Sequence, residues 1–198
     1  MMTPTLLPQL ILASASPRRL HLLQEHGYTF IVEPADVEEI SPEYFTPGET
    51  VLWNARAKAK AVAARHPDAV VLGVDTVVSF ENEILGKPSD LAHAERMLSR
   101  LNGHAHEVYS GVWIISAGSP RERGFIEITR VHFRHLEPAQ LRAYQARIGP
   151  LDKAGAYAAQ DDRGELISEV EGSFSNVIGL PMERLAEELP AFAEMAIA

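Results

Sequence analysis

Hydrophobic and polar positions fall into short blocks along the first half of the chain, switching between strand and helix periods. Ile11-Leu12-Ala13 predicts a strand, and Pro17 to Leu23 a helix with Ser16 at its N-cap and Pro17 at the first helical position. Gly27 stops that helix, and Tyr28 to Glu33 reads as a second strand. Pro34 to Gly48 is rich in proline and acids and reads as loop. A helix from about Gly48 to His66 follows, ended by Pro67. Val70 to Val78 is a buried strand, turning through a tip at Glu81-Asn82-Glu83 into Ile84-Leu85-Gly86-Lys87-Pro88. Ser89 or Asp90 caps a helix carrying Leu91, Ala94, Met97, Leu98 and Leu101, stopped by Gly103. His106 to Ser116 and Phe125 to Phe133 are two more strands, and Glu137-Pro138 opens a helix that runs to Gly149. Asp152 to Pro181 is Gly- and Ser-rich and reads as the lining of a site, and a short helix from Met182 follows. Alternating strands and helices imply the α/β class.

Several residues break this pattern. Arg18 and Arg19 occupy the first turn of a helix, where the dipole is already positive and each cation costs about 0.3–1 kcal/mol. An anion at that turn relieves the cost, and free N–H groups beside Ser14, Ser16 and two guanidinium forks describe a phosphate site. The plainer alternative ties both arginines to acidic neighbours. Asp75 sits in an apolar strand, where an unpaired carboxylate costs several kcal/mol. It reads as a base or metal ligand at a strand end facing a cleft, against a carboxylate bonded to backbone N–H groups. Lys58 shares the apolar stripe of its helix with Val51, Ala55 and Val62, and so either snorkels past the core or, the favoured reading, reaches into a cleft toward an anion; Lys60 points the other way, to solvent. Lys87 is held on the stiff turn Gly86-Lys87-Pro88, suited to presenting a charge. Glu38-Glu39 reads either as a simply exposed pair or as the source of one carboxylate that, with Asp75, would complete an oxygen-only site for Mg²⁺ or Mn²⁺. The histidines do not assemble and read as structural or exposed.

Composition narrows the partners. At 198 residues the chain can bury a substantial core, and no apolar run approaches a membrane span. The absence of cysteine excludes disulfides and thiolate chemistry. Met1 to Pro8 has no basic n-region and no cleavage site, so a cytoplasmic protein is expected. A net charge of −9 argues against nucleic acid as partner, so cations for a polyphosphate must be concentrated locally. There is no G-x-x-x-x-G-K-[ST] loop, no dinucleotide-binding G-x-G-x-x-G and no G-x-S-x-G elbow.

Ser14-Ala15-Ser16-Pro17-Arg18-Arg19-x-x-Leu22-Leu23 resembles the signature of the Maf family of nucleotide pyrophosphatases. The likeness continues through Ala57-Lys58-Ala59, Gly73-Val74-Asp75-Thr76 and Gly86-Lys87-Pro88. It then takes in His106-x-Val108-x-Ser110-Gly111-Val112, Asp152-Lys153-Ala154-Gly155-Ala156-Tyr157 and Gly172-Ser173-x-Ser175-Asn176-Val177-x-Gly179-Leu180-Pro181. The resemblance implies hydrolysis of a nucleoside triphosphate between the α- and β-phosphates. It implies Asp75 as the base activating water, Glu39 with Asp75 as holders of a divalent metal (Mg²⁺ or Mn²⁺), and Ser14, Ser16, Arg18, Arg19, Lys58 and Lys87 on the phosphates. The implied fold is a single two-lobed Maf/ITPase-like domain over residues 1–198, a mixed β-sheet flanked by helices with a central cleft, in a homodimer.

Subgroups of the family differ at three positions. Arg18, Thr76 and Gln160 resemble the type acting on dTTP and UTP, and a Gln amide suits a pyrimidine edge because it both donates and accepts. Asp161 follows Gln160 where the family usually has Gly, Asp162 adds another charge, and Ser110 stands where Thr is usual. The alternatives are a 7-methyl-GTP or purine-type pyrophosphatase, a house-cleaning enzyme for modified pyrimidine nucleotides, or a non-enzymatic regulator of septum formation.

Overall fold

The apolar blocks become strands β1 (Leu10–Ala13), β2 (Phe30–Val32), β3 (Val70–Phe80), β4 (Glu83–Leu85), β5 (Ala105–Ser116), β6 (Glu122–Phe133) and β7 (Ile167–Glu171). In this computed structural model, which describes residues 9–40 and 44–194, they form one seven-stranded sheet in the order β2-β1-β3-β5-β6-β7, with β4 also on β3. β1 runs parallel to β2 and β3, and every other pairing is antiparallel. Helices α1 (Pro17–Glu25), α2 (Pro47–Ala63), α3 (Leu91–Leu101), α4 (Pro138–Ile148), α5 (Phe174–Ile178) and α6 (Met182–Glu194) flank it. The chain is therefore the mixed α/β protein that its patterning predicts. The reading of the first eight residues, and of 41–43 as loop, falls outside the described residues.

Local chemistry accounts for most boundaries. Thr46 and Glu49 form a capping box that starts α2 at Pro47, one residue before the expected Gly48. Asp90, not Ser89, caps α3 by accepting the His93 N–H at 2.7 Å. Glu81 and Asn82 adopt φ of 52° and 64°, the left-handed pair that a two-residue hairpin turn demands, so Glu83 belongs to β4 and not to the tip. Residues 152–181 hold more order than expected, since β7 and α5 both lie there.

Asp75 is expected at a strand end; it lies midway along β3. β1 is only four residues long and leaves β3 after Gly73, while β4 joins the same edge at Val78. Residues 74–77 therefore have β5 on one side and no strand on the other. The cleft opens on the flank of a long strand, not at its tip.

Three apolar clusters surround this gap. One joins α1 and α6 to the sheet through Leu23, Leu72, Val112, Leu180 and Leu185. A second lies under α2 through Ile11, Ala59, Val62 and Val71, and a third gathers α3 and α4 around Leu98, Leu101, Val108, Tyr144 and Leu166. No described helix is long and apolar enough to cross a membrane.

Two glycines let α2 lie against the backbone of the sheet. A Cβ on Gly73 would stand 2.1 Å from the Ala55 carbonyl oxygen, and one on Gly111 would stand 2.5 Å from the Val51 carbonyl carbon and oxygen. Both residues share the sheet face of Asp75, so this approach sets the height of α2 above it. Gly111→Ala is expected to lower stability by about 1–3 kcal/mol through overpacking, read as a fall in Tm. An unchanged melting curve would show that α2 yields freely.

Candidate active site

A cavity of about 590 Å³ wraps around the open edge of β3. Side chains alternate along a strand, so Asp75 and Thr76 face opposite sides of the sheet. Both line the cavity because no neighbouring strand closes that edge.

Asp75 faces α2, and its two carboxylate oxygens have different partners. Asn54 Nδ2 donates to Oδ2 at 3.0 Å, and Lys58 Nζ donates to Oδ1 at 2.7 Å. Asn54 and Lys58 are one helical turn apart, which presents both to the strand. The same ammonium lies 2.7 Å from Glu39 Oε1. Burial raises the Glu39 pKa, but the hydrogen bond and charge of Lys58, with Lys87 and Arg19 behind it, hold it below its ordinary value. Asn54 also accepts the Ile40 N–H at 3.1 Å, tying the Glu39 segment to the helix. Lys58 thus reaches an anion, as its helical phase predicts, and the anions in place are protein carboxylates.

On the opposite face Arg19 binds four groups. Its Nε donates to the Gly179 carbonyl at 2.9 Å, Nη1 to Ser14 Oγ at 2.9 Å and the Val74 carbonyl at 3.1 Å, and Nη2 to Thr76 Oγ1 at 3.0 Å. Val74 O belongs to the unpaired edge, so Arg19 supplies a donor where a strand is missing. Burial pulls its pKa down to about 10, against the charge of Asp75, which leaves it charged at neutral pH. Thr76 Oγ1 also meets Ser110 Oγ at 2.9 Å and the Gly179 carbonyl at 3.2 Å. Ser16 occupies the N-cap position without a side-chain capping bond, and its N–H donates to Ser14 Oγ at 3.3 Å.

Arg18 pairs with Asp152 at 3.1 Å, and Lys153 binds the same carboxylate at 2.6 Å. The first-turn arginines are thus balanced by Asp152, hydroxyls and carbonyls. The plainer sequence reading, an arginine tied to an acid, describes Arg18. Lys87 and Gln160 are exposed on the far wall, with no hydrogen-bond partner among the described residues. Beyond Gln160, Asp162 is buried and accepts the N–H groups of Leu166 and Ile167, both at 3.0 Å. This carboxylate closes the turn that carries Arg163 at a φ of 53° and Gly164. The added charge at Asp162 is therefore a structural cap, whereas Asp161, which stands where the family usually has Gly, is exposed.

Ser14, Ser16, Arg18, Arg19, Glu39, Lys58, Asp75, Thr76, Lys87 and Gln160 all border this one cavity; Glu38 does not. Sequence reasoning missed Asn54, and it placed Asp152 and Lys153 in a site-lining segment without giving either a role. Asn54 was findable, because it lies four residues before Lys58 on the same stripe. Five cations (Arg18, Arg19, Lys58, Lys87, Lys153) face three carboxylates in the lining, a local positive excess inside a chain of net charge −9.

A hard divalent cation fits one corner of the cavity. Glu39 and Asp75 aim carboxylate oxygens at a single point, which Lys58 Nζ occupies. Two carboxylates completed by phosphate oxygens are a donor set that Mg²⁺ and Mn²⁺ accept. A different cluster, His132 with Glu169 and Glu171, lies where β7 pairs with β6, and His132 Nε2 is 2.8 Å from Glu171. It was invisible in the sequence because an exposed edge strand has no apolar signal.

Behind the cleft, His106 packs edge-on against Phe133 and Tyr157, and its Nε2 meets Tyr157 Oη at 3.0 Å. Burial, helped by the charge of His132, lowers its pKa to about 3, so it stays neutral as the structural histidine that the sequence implies.

An α/β protein with a cation-rich cleft and a paired-carboxylate corner belongs among proteins that handle phosphate esters or anhydrides. Residues 9–192 match the family described as Maf-like protein, and the chain belongs to the Maf family. It is 44% identical to a dTTP/UTP pyrophosphatase of Pelotomaculum thermopropionicum, covering 93% of this chain and 96% of that one. It is 45% identical to a dTTP/UTP pyrophosphatase of Moorella thermoacetica and 43% identical to one of Bacillus anthracis, in each case over 93% of this chain and 95% of the relative. Among solved structures, a HAM1 protein from Coxiella burnetii is similar with a TM-score of 0.44 and 16% identity, over 64% of this chain and 73% of that one.

The depressed His106 pKa has a sign that can be tested. The unfolded chain takes up a proton near pH 6.5 and the folded chain only near 3, so stability is full above 6.5 and lost as pH falls toward 3. The slope reaches about 1.4 kcal/mol per pH unit. Denaturant melts of His106→Phe are expected to show a shallower acid slope across that window. A slope equal to the parent's would place the acid sensitivity elsewhere.

Proposed function

We propose that the cleft hydrolyses pyrimidine nucleoside triphosphates, dTTP and UTP, to the monophosphate and pyrophosphate. The observation that carries this reading is the placement of Asp75 and Glu39 beside Arg18, Lys58 and Lys87 in one cavity. The chain around it is 43–45% identical to relatives named dTTP/UTP pyrophosphatase.

Asp75 is the base. It accepts a proton from water as the water oxygen bonds to phosphorus, the α–β anhydride bond breaks, and pyrophosphate departs with the bond's electron pair. Proton transfer to a positioned carboxylate contributes about 10²–10⁴-fold to such a step. Asn54 fixes the carboxylate through Oδ2, and each oxygen keeps a lone pair for the water. Arg18 and Lys87 neutralise phosphate oxygens, and Asp152 gives up Arg18 to them, since exposed ion pairs are worth only about 0–1 kcal/mol. Ser14 and Ser16 border the phosphates, and Arg19 and Thr76 hold that rim in place. Glu39 and Asp75 would hold the divalent cation (Mg²⁺ or Mn²⁺), which supplies charge neutralisation on the phosphates. Gln160 faces the base, its amide free to donate and accept against a pyrimidine edge, including a modified one. The same reading takes the chain as one domain of two lobes about the cleft, working in the cytoplasm as a homodimer.

Pyrophosphate release from dTTP, UTP and 7-methyl-GTP with Mg²⁺ or Mn²⁺ tests the assignment. Asp75→Asn is expected to lose at least about 100-fold in kcat with dTTP binding retained; near-normal turnover sinks the base assignment. Gln160→Glu is expected to lose about tenfold in kcat/KM on dTTP and UTP with pyrophosphate inhibition unchanged, a change of about 1.4 kcal/mol. Equal losses in both would make Gln160 a loop support. A protein that turns over none of these nucleotides would leave only a binding role in septum regulation.

A further inference from the structure

The corner that suits a metal already holds a cation. Lys58 Nζ stands 2.7 Å from Glu39 Oε1 and 2.7 Å from Asp75 Oδ1, and its side chain is only 13% exposed. Without a cation between them, two partly desolvated carboxylates so close together repel. An ammonium at hydrogen-bond distance and a metal ion at about 2.0–2.1 Å from the same oxygens need the same space. They cannot both be there.

The carboxylates are held in place without Lys58. Asn54 grips Asp75 through the oxygen that the lysine does not use, and through its own Oδ1 it anchors Ile40, the neighbour of Glu39. Gly73 and Gly111 in turn fix the height of α2, which carries Asn54. The pair therefore persists if the ammonium leaves, and a four-carbon stem on a fixed helix lets the ammonium leave without moving backbone.

We propose that Lys58 is a placeholder cation. In the substrate-free protein its ammonium neutralises Glu39 and Asp75, and it competes with the divalent metal for that position. When the metal binds, Lys58 is released toward the cavity, where it becomes available to the polyphosphate. One residue thereby has two stations, carboxylate and phosphate. This rests on Glu39 and Asp75 being the metal holders.

The test is Mn²⁺ binding to nucleotide-free protein, followed by electron paramagnetic resonance, together with thermal melts in chelator and in Mn²⁺. Lys58→Met is expected to bind Mn²⁺ at least about tenfold more tightly than the parent. It should also melt lower than the parent in chelator and gain more in Tm from the metal. Equal or weaker Mn²⁺ affinity in Lys58→Met overturns the proposal. If that variant does not fold, acetylation of the parent followed by mass spectrometry decides. Lys58 should be protected without metal and reactive with saturating Mn²⁺, and protection unaffected by Mn²⁺ overturns the idea. Glu39→Gln separates the two levels. If it leaves Mn²⁺ binding intact, the metal assignment fails and the placeholder with it. If it abolishes binding while Lys58→Met leaves affinity unchanged, only the placeholder fails.

Discussion

The organisation of the cleft depends on an interruption in strand pairing. For residues 74–77 of β3 one edge has no neighbour, because β1 ends too early and β4 begins too late. An unpaired edge normally invites another strand or water. Here it is occupied by side chains: Arg19 donates to the Val74 carbonyl, and the cavity takes the rest. That one gap makes adjacent residues on opposite sheet faces border the same cavity. It lets a carboxylate held from α2 and a hydroxyl held by Arg19 of α1 face one space.

Three of the five cations in the cleft are tied to its three carboxylates. Arg18 and Lys153 share Asp152, and Lys58 is shared by Glu39 and Asp75. Such pairing allows a cation-rich pocket to exist before its anionic ligand arrives. The partners differ in how firmly they are held. Asp152 is largely solvent-exposed, so its grip on Arg18 is weak and easily exchanged. Asp75 is buried and doubly bonded, and stays where it is.

Much of this was legible in the sequence. Arg18 and Arg19 stood out as cations at the wrong end of a helix, Asp75 as a charge in an apolar strand, and Lys58 by its phase on an apolar stripe. Each is a violation of a local rule, and such violations concentrate at functional sites. Asn54 carries the same signal more weakly, as a neutral amide on the stripe of Lys58, and its partner shows only in the fold. Strand β7 escaped because Ser168, Glu169 and Glu171 are exposed, and hydrogen bonding to β6, not burial, holds it. Nor could the sequence reveal that β1 stops opposite Gly73, which is a matter of register. Thus Asp75 was expected to face a cleft, as it does, but from the end of a strand and not from its flank.

Arg19 differs from Arg18, Lys58 and Lys153 in pairing with no carboxylate among the described residues. Four hydrogen bonds to carbonyls and hydroxyls hold its guanidinium instead. With a pKa of about 10 it keeps its proton across the physiological range. The floor of the cavity therefore carries a positive charge that depends on no carboxylate partner.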